Sequence, residues 1–189
     1  HSRLMEKIKH LSELNERMRE EAVNLTRALK SDTKKQGSWG EFVFSRILES
    51  SGLEKGREYE TEKHVTAEDG SRYRPDVLIH LPEDKKIVID SKVSLVAYER
   101  YINEDEDREQ HLKEHLLSLK NHIKQLSEKN YHDLFEESPE FVLLFIPIEP
   151  ALTAAINADP QLFDFAFQKK VVLVTPTTLL ATLKTVSSI

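Results

Sequence analysis

Two short strings carry residues that could share one piece of chemistry: Pro75-Asp76, and Asp90-Ser91-Lys92. Residues two apart in a strand face the same side, so Asp90 and Lys92 project together, and an antiparallel hairpin can carry Asp76 across to meet them. Two carboxylates suit a hard cation such as Mg²⁺ (or Mn²⁺), which takes a few oxygen ligands and keeps several waters. The Ser91 carbonyl offers a further oxygen, and Glu41 could reach the same ion from a preceding helix. The cation would lower the pKa of a bound water and stabilise charge developing on a phosphate, while Lys92 would orient or help deprotonate that water. The expected catalytic set is Glu41, Asp76, Asp90 and Lys92, with Asp76, Asp90 and Glu41 as metal ligands. Each also has an ordinary role open to it. Glu41 can cap its helix, Asp76 can satisfy backbone groups beside Pro75, and Asp90 with Lys92 can be a strand-end ion pair.

A second string, His111-x-x-Glu114-His115, has the spacing of a zinc-binding helix, with a downstream acid such as Glu149 as a third ligand. The surrounding helix is long and charged, its histidines flank the apolar seam, and solvated helix histidines are the expected reading; His122 is ambiguous in the same way. Lys34, Lys35, Arg72, Arg74, Lys120, Lys124 and Lys129 can frame a phosphate track, with Lys34, Lys35, Arg74 and Lys129 as the candidate DNA contacts. Charges this scattered also make an ordinary solvated face. No aromatic ladder for stacking single-stranded bases is present.

The elements that must position these residues are readable from periodicity. Leu4, Ile8, Leu11, Met18, Ala22, Leu25 and Leu29 step by fours and threes, broken by Asn15, a heptad stripe that either seeks a partner helix or lies on the chain's own domain. A break is expected over 31–37. Ser38 and Glu41 have capping-box spacing and predict a helix start, continued by Trp39, Val43, Phe44, Ile47 and Leu48 and ended by Gly52. Strands are expected at Tyr59–Val65, Tyr73–His80 and Lys86–Asp90, joined as antiparallel hairpins by turns at 67–70 and 82–85. A helix from Ser94, a long amphipathic helix over Leu112–Leu126, buried strands at Phe141–Ile146 and Val171–Val174, two short helices over 150–168 and a helix opened by Pro176 complete the order. This alternation predicts an α/β or α+β sandwich with a mixed sheet flanked by helices.

Charge and composition bound the function. The 189 residues include 27 Lys and Arg against 33 Asp and Glu, a net charge of -6, which excludes a protein that coats nucleic acid by global attraction. Any DNA contact must be local. Absence of cysteine rules out disulfides, Cys-ligated zinc, iron–sulfur clusters and thiol nucleophiles. No run approaches the roughly 18 apolar residues of a membrane span and no signal peptide is evident, so a cytoplasmic location without membrane contact is expected. His1 and the helical pattern running up to Ile189 read as a cut from a longer chain, truncated at its C-terminus.

Pro-Asp, a spacer and then Asp-x-Lys on a hairpin, with an acid on the first helix, resembles the PD-(D/E)xK nuclease superfamily. Gly37-x-Trp39-Gly40-Glu41, Gly52-Leu53, Arg74-Pro75-Asp76, Leu81-Pro82, Asp90-Ser91-Lys92-Val93, Lys129-x-Tyr131, Phe145-Ile146-Pro147-x-Glu149 and Pro176-Thr177-Thr178-Leu179-Leu180 together resemble the RmuC family of DNA recombination proteins. The resemblance implies a restriction-endonuclease-like core over 37–189, preceded by a coiled-coil-type helix and linker over 1–36. It further implies DNA as partner and a parent protein anchored to the inner membrane and facing the cytoplasm, while the heptad stripe itself predicts self-association through the N-terminal helix. Carried over, Glu41, Asp76, Asp90 and Lys92 are its nuclease residues, and Glu149 and Ser91 line the site. The competing expectation is a DNA-binding or coiled-coil scaffold module that keeps the nuclease fold without catalysis.

Overall fold

The computed structural model describes residues 2–10, 13, 33–61, 65–66, 72–73, 76–91, 93–129 and 142–188. Residues 2–10 are helical (α1), with Leu4, Met5 and Ile8 exposed. Helix α2 is Thr33–Ser50 and leads to strands β1 (Tyr59–Thr61), β2 (Val65–Thr66), β3 (Arg72–Tyr73), β4 (Val77–His80) and β5 (Lys86–Asp90). Helices α3 (Val96–Asn103) and α4 (Arg108–Glu128) precede β6 (Val142–Phe145), followed by α5 (Glu149–Ala158), α6 (Leu162–Gln168), β7 (Val171–Val174) and α7 (Pro176–Ser187). No helix among the described residues is long and apolar enough to cross a membrane.

Five strands form one mixed sheet in the order β1-β4-β5-β6-β7, and β2 and β3 pair separately as a two-stranded ribbon. The first two ladders, β1 with β4 and β4 with β5, are antiparallel, whereas β5, β6 and β7 run parallel. The switch follows from the connections: the short link 81–85 allows a hairpin, while the helices after β5 and β6 are the crossovers that parallel strands need. Strand alternation then splits the core into two layers. Leu78, Val88, Val142, Leu144, Val171 and Leu173 pack against α3, α4, α5 and α6. Val77, Ile79, Ile89, Leu143, Phe145 and Val174 pack against α2 and α7, with the Phe44 and Phe145 rings 5.1 Å apart. Each fully buried aliphatic side chain of this kind contributes about 1.5–3 kcal/mol, which makes the sheet a firm platform for residues at its strand ends.

Several boundaries differ from expectation. The predicted helix start at Ser38 is wrong: α2 already begins at Thr33, and Ser38 and Glu41 lie inside it. Capping-box spacing also occurs mid-helix, the extra turn buries Gln36, and the helix continues through Gly37. The expected strand Tyr59–Val65 divides into β1 and β2, and Tyr73–His80 into β3 and β4, because one half of each pairs in the sheet and the other half in the ribbon. Lys86–Asp90, Val171–Val174 and the helix end before Gly52, whose φ is +87°, stand where the sequence puts them. The heptad stripe from Leu11 onward, the turn at 67–70 and Tyr131 lie outside the described residues.

Candidate functional site

The end of β5 is where the chemistry-bearing side chains meet. Val77 pairs with Ile89 in the antiparallel β4–β5 ladder, and one further step in that register sets Asp76 opposite Asp90. Asp76 is fixed there by its neighbour strand: Oδ2 accepts hydrogen bonds from the Ser91 amide (2.8 Å) and the Ser91 hydroxyl (3.1 Å). The two acids thus flank the Ser91 peptide, one bonded to its N–H and the other preceding it in the chain. Ser91, Asp76 and Glu41 line a cavity of about 660 Å³ between α2, the strand ends and the start of α3, together with Ser45, Lys55 and Ser94. Gly40 and Pro147 also line it, and a Cβ at Gly40 would make an ordinary van der Waals contact with the Pro147 ring at 3.5 Å.

Asp90 itself does not line this cavity. Sharing the parity of Val88, its side chain points to the α3–α4 layer and is only 3% exposed. A buried carboxylate needs positive or hydrogen-bonding company. Helix α4 supplies it: Lys129 Nζ lies 3.7 Å from Oδ2, and His122 Nε2 lies 3.9 Å from Oδ1. Lys129, expected as a DNA contact, therefore stands beside the second candidate metal ligand. Lys120 and Lys124 occupy another face of the same helix. Lys120 is paired with Asp159 at 2.7 Å, and the ammonium groups of Lys120, Lys124 and Lys169 all lie within 6.0 Å of the Phe165 ring centroid. They are a separate cationic cluster. The Lys120 hydrogen bond, seconded by the Gln161 amide, holds the Asp159 carboxyl below its ordinary range.

The strand end offers oxygen ligands of the kind a hard divalent cation takes, the Asp76 and Asp90 carboxylates on facing strands, with Lys129 already beside the second. Asp76 and Asp90 are the residues that would hold it. Glu41 lines the cavity from α2 as an exposed side chain, and among the described residues no three His, Cys, Asp or Glu groups converge. Lys34 and Lys35 are exposed at the start of α2. Lys92 and Arg74 lie outside the described residues. Glu149 is not at the cavity; its Oε1 accepts a hydrogen bond from the Thr177 amide at 2.9 Å, joining the first turns of α5 and α7.

The zinc-type histidine pair does not form. His115 is fully buried against the Tyr98 ring, and its Nε2 lies 2.8 Å from the Ala151 carbonyl, which can only accept, so that nitrogen carries the proton. Burial pushes this imidazole below its ordinary pKa, with the Ala151 hydrogen bond opposing. His111 instead turns to Glu104, at 2.7 Å. The expected solvated histidines are thus a core residue and a half-buried acid partner. What the sequence reading missed is His122 as a neighbour of Asp90. Its signal was the spacing of His115, His122 and Lys129, seven apart each time, which puts them on one stripe with Leu119 and Leu126.

The RmuC family model matches residues 1–189. A DNA recombination protein RmuC homolog from Vibrio cholerae is 51% identical over 189 residues, covering 98% of this chain and 37% of that protein. A homolog so named from Pseudomonas aeruginosa is 53% identical, covering 98% of this chain and 42% of its own length. The DNA recombination protein RmuC of Escherichia coli (strain K12) is 47% identical, with 98% and 40% covered. The chain spans about two fifths of the length of these relatives.

Proposed function

The chain belongs to the RmuC family, and from that membership we propose that it is the nuclease-like part of a DNA recombination protein, one that hydrolyses DNA phosphodiester bonds with a divalent cation. The observation that carries this reading is the pairing of Asp76 and Asp90 across β4 and β5 beside an open cavity, with Lys129 close to Asp90. A mixed sheet whose antiparallel half holds both acids, covered by helices on each face, is compatible with a PD-(D/E)xK core. Mg²⁺ or Mn²⁺ would supply a polarised water and charge stabilisation at the phosphate. The protein's own part is to hold Asp76 through Ser91, to keep Asp90 buried and oriented by α4, and to present Lys92 and Lys129 to the anionic substrate.

The test is cleavage of labelled linear and branched DNA in Mg²⁺ and Mn²⁺. Cleavage should occur with the wild type and fall at least 100-fold with Asp90→Ala or Lys92→Ala while the melting temperature is kept, a loss of the size expected when a group stabilising the transition state is removed. A well-folded wild type that cuts no DNA in either metal rejects the reading for this chain.

A second reading, assembly, rests on α1. Leu4 and Ile8 are 61% and 54% exposed and one helical turn apart, which fits the start of a self-associating coiled coil. Leu4→Glu with Ile8→Glu should lower the sedimentation coefficient if this stripe pairs copies of the chain; an unchanged coefficient removes the idea.

A further inference from the structure

We propose that Lys55 binds a phosphate of the DNA strand that enters the cavity beside Asp76, a contact beyond the candidates Lys34, Lys35, Arg74 and Lys129. The inference rests on the DNA-directed reading above and deepens it, but it needs neither a bound metal nor cleavage. Two carboxylates, Glu41 and Asp76, line the cavity, and both repel an approaching phosphate. A strand can lie there only where a cation offsets them. Lys129 belongs to the other layer, 3.7 Å from Asp90, which does not line the cavity. Among the described residues of the cavity wall, Lys55 is the one cation. It shares that wall with Ser45, Thr61 and Ser94, whose hydroxyls can donate to phosphate oxygens, and Thr61 pairs with Val77, next to Asp76.

The residues around Lys55 fix its backbone. Leu53 and Tyr59 are buried on either side of it, and Tyr59 opens β1 by pairing with Ile79. Between them the chain folds back on itself: the Glu58 amide donates to the Glu54 carbonyl and the Gly56 amide to the Tyr59 carbonyl, each at 2.8 Å. The Glu54 amide donates in turn to the Glu58 carboxylate at 3.2 Å. Gly56 has φ +88°, a left-handed conformation that a side chain would strain. The turn therefore brings Lys55 to the cavity from a base tied to the sheet. Arg57, the other cation of the turn, lies 3.5 Å from Glu54, whereas Lys55 enters no ion pair among the described residues. An ammonium on a long flexible stem can follow a phosphate as the strand settles.

The measurement is the salt dependence of DNA binding by the whole chain, read by fluorescence anisotropy of a labelled duplex oligonucleotide in EDTA, so that no cleavage occurs. Lys55→Ala should weaken binding to every sequence tested and reduce the slope of log affinity against log salt concentration by about 0.9, the share of one phosphate contact. Lys55→Arg should keep the wild-type slope. Lys85→Ala removes an equal charge at the far end of the β4–β5 hairpin and should leave the slope unchanged. An unchanged slope in Lys55→Ala overturns the inference, and so does an equal fall in Lys85→Ala, which would report net charge alone. If Lys55→Ala does not fold, acetylation footprinting of the wild type decides: DNA should protect Lys55 and not Lys85, and equal labelling of Lys55 with and without DNA overturns the contact. A wild type that binds no DNA removes the DNA reading and this inference together. One that binds DNA and cuts none rejects hydrolysis alone, and the slope still judges Lys55.

Discussion

Burial gives the histidines of α4 opposite duties although they share a helix and a stripe. His115 has no exposure, gives its one proton to the Ala151 carbonyl and leaves Nδ1 without a partner, so a second proton would bring a charge into the core. Its folded-state pKa lies below the ordinary 6.5 because burial disfavours the imidazolium. The sign follows from proton counting. Below about pH 6.5 the unfolded chain takes up a proton that the folded chain refuses, so the stability contributed by neutral His115 is fully present above that pH and lost as pH falls toward the folded value. Urea unfolding from pH 7.5 down to pH 5 should therefore show falling stability, and His115→Leu should flatten that slope even though it also removes the bond to Ala151. An equally steep slope in the variant would assign the pH dependence to other groups. Tyr98, whose ring is tilted against His115, is pushed up to about 12 by burial and stays neutral throughout this range.

Helices α5 and α7 begin side by side at the ends of β6 and β7, and their first turns are joined by chemistry visible in the sequence only as Glu149 and Pro176-Thr177-Thr178. Glu149 bonds the Thr177 amide, and Thr178 closes a capping box by accepting from the Thr175 amide at 2.8 Å. Both satisfy N–H groups that a helix start leaves unpaired. Glu149→Ala should cost about 0.5–2 kcal/mol in chemical denaturation, as lost caps do, and leave Mn²⁺ binding unchanged. A loss of metal affinity instead would return Glu149 to the site. The elements themselves were largely legible. Apolar runs such as Val171–Val174 and the link at 82–85 fix strands and turns by local rules, and β5 came out to the residue. What was not legible depends on distant partners: the division of Tyr59–Val65 between two sheets, the extension of α2 back to Thr33, and the turning of Asp90 toward α4 rather than into the cavity. Periodicity gave the face Asp90 shares with Lys92, but not which layer lies over that face.

Across the whole molecule, the acid surplus and the proposed task are reconciled by where the charges lie. Three of the acids are expected as metal ligands; Asp76 and Asp90 stand at the β4–β5 end, and Glu41 lines the cavity from α2. Cations are likewise divided. Lys129 faces Asp90, and Lys34 and Lys35 are exposed at the start of α2, whereas Lys120, Lys124 and Lys169 gather around Phe165 on another face of the α3–α6 layer. With a net charge of -6, long-range attraction cannot add to local contacts, and each phosphate neutralised must answer to a particular side chain. If Lys34, Lys35, Arg74 and Lys129 are the contacts, the logarithm of DNA affinity should fall against the logarithm of salt concentration with a slope of about -4 or shallower, near 0.9 for each contact. Lys129→Ala should reduce that slope by about 1, and charge reversal of Lys124 and Lys169 should leave it unchanged. A steeper slope that collapses on reversing Lys124 and Lys169 would move the DNA from the strand-end cavity to the Phe165 face, and the nuclease reading would then lose its substrate path.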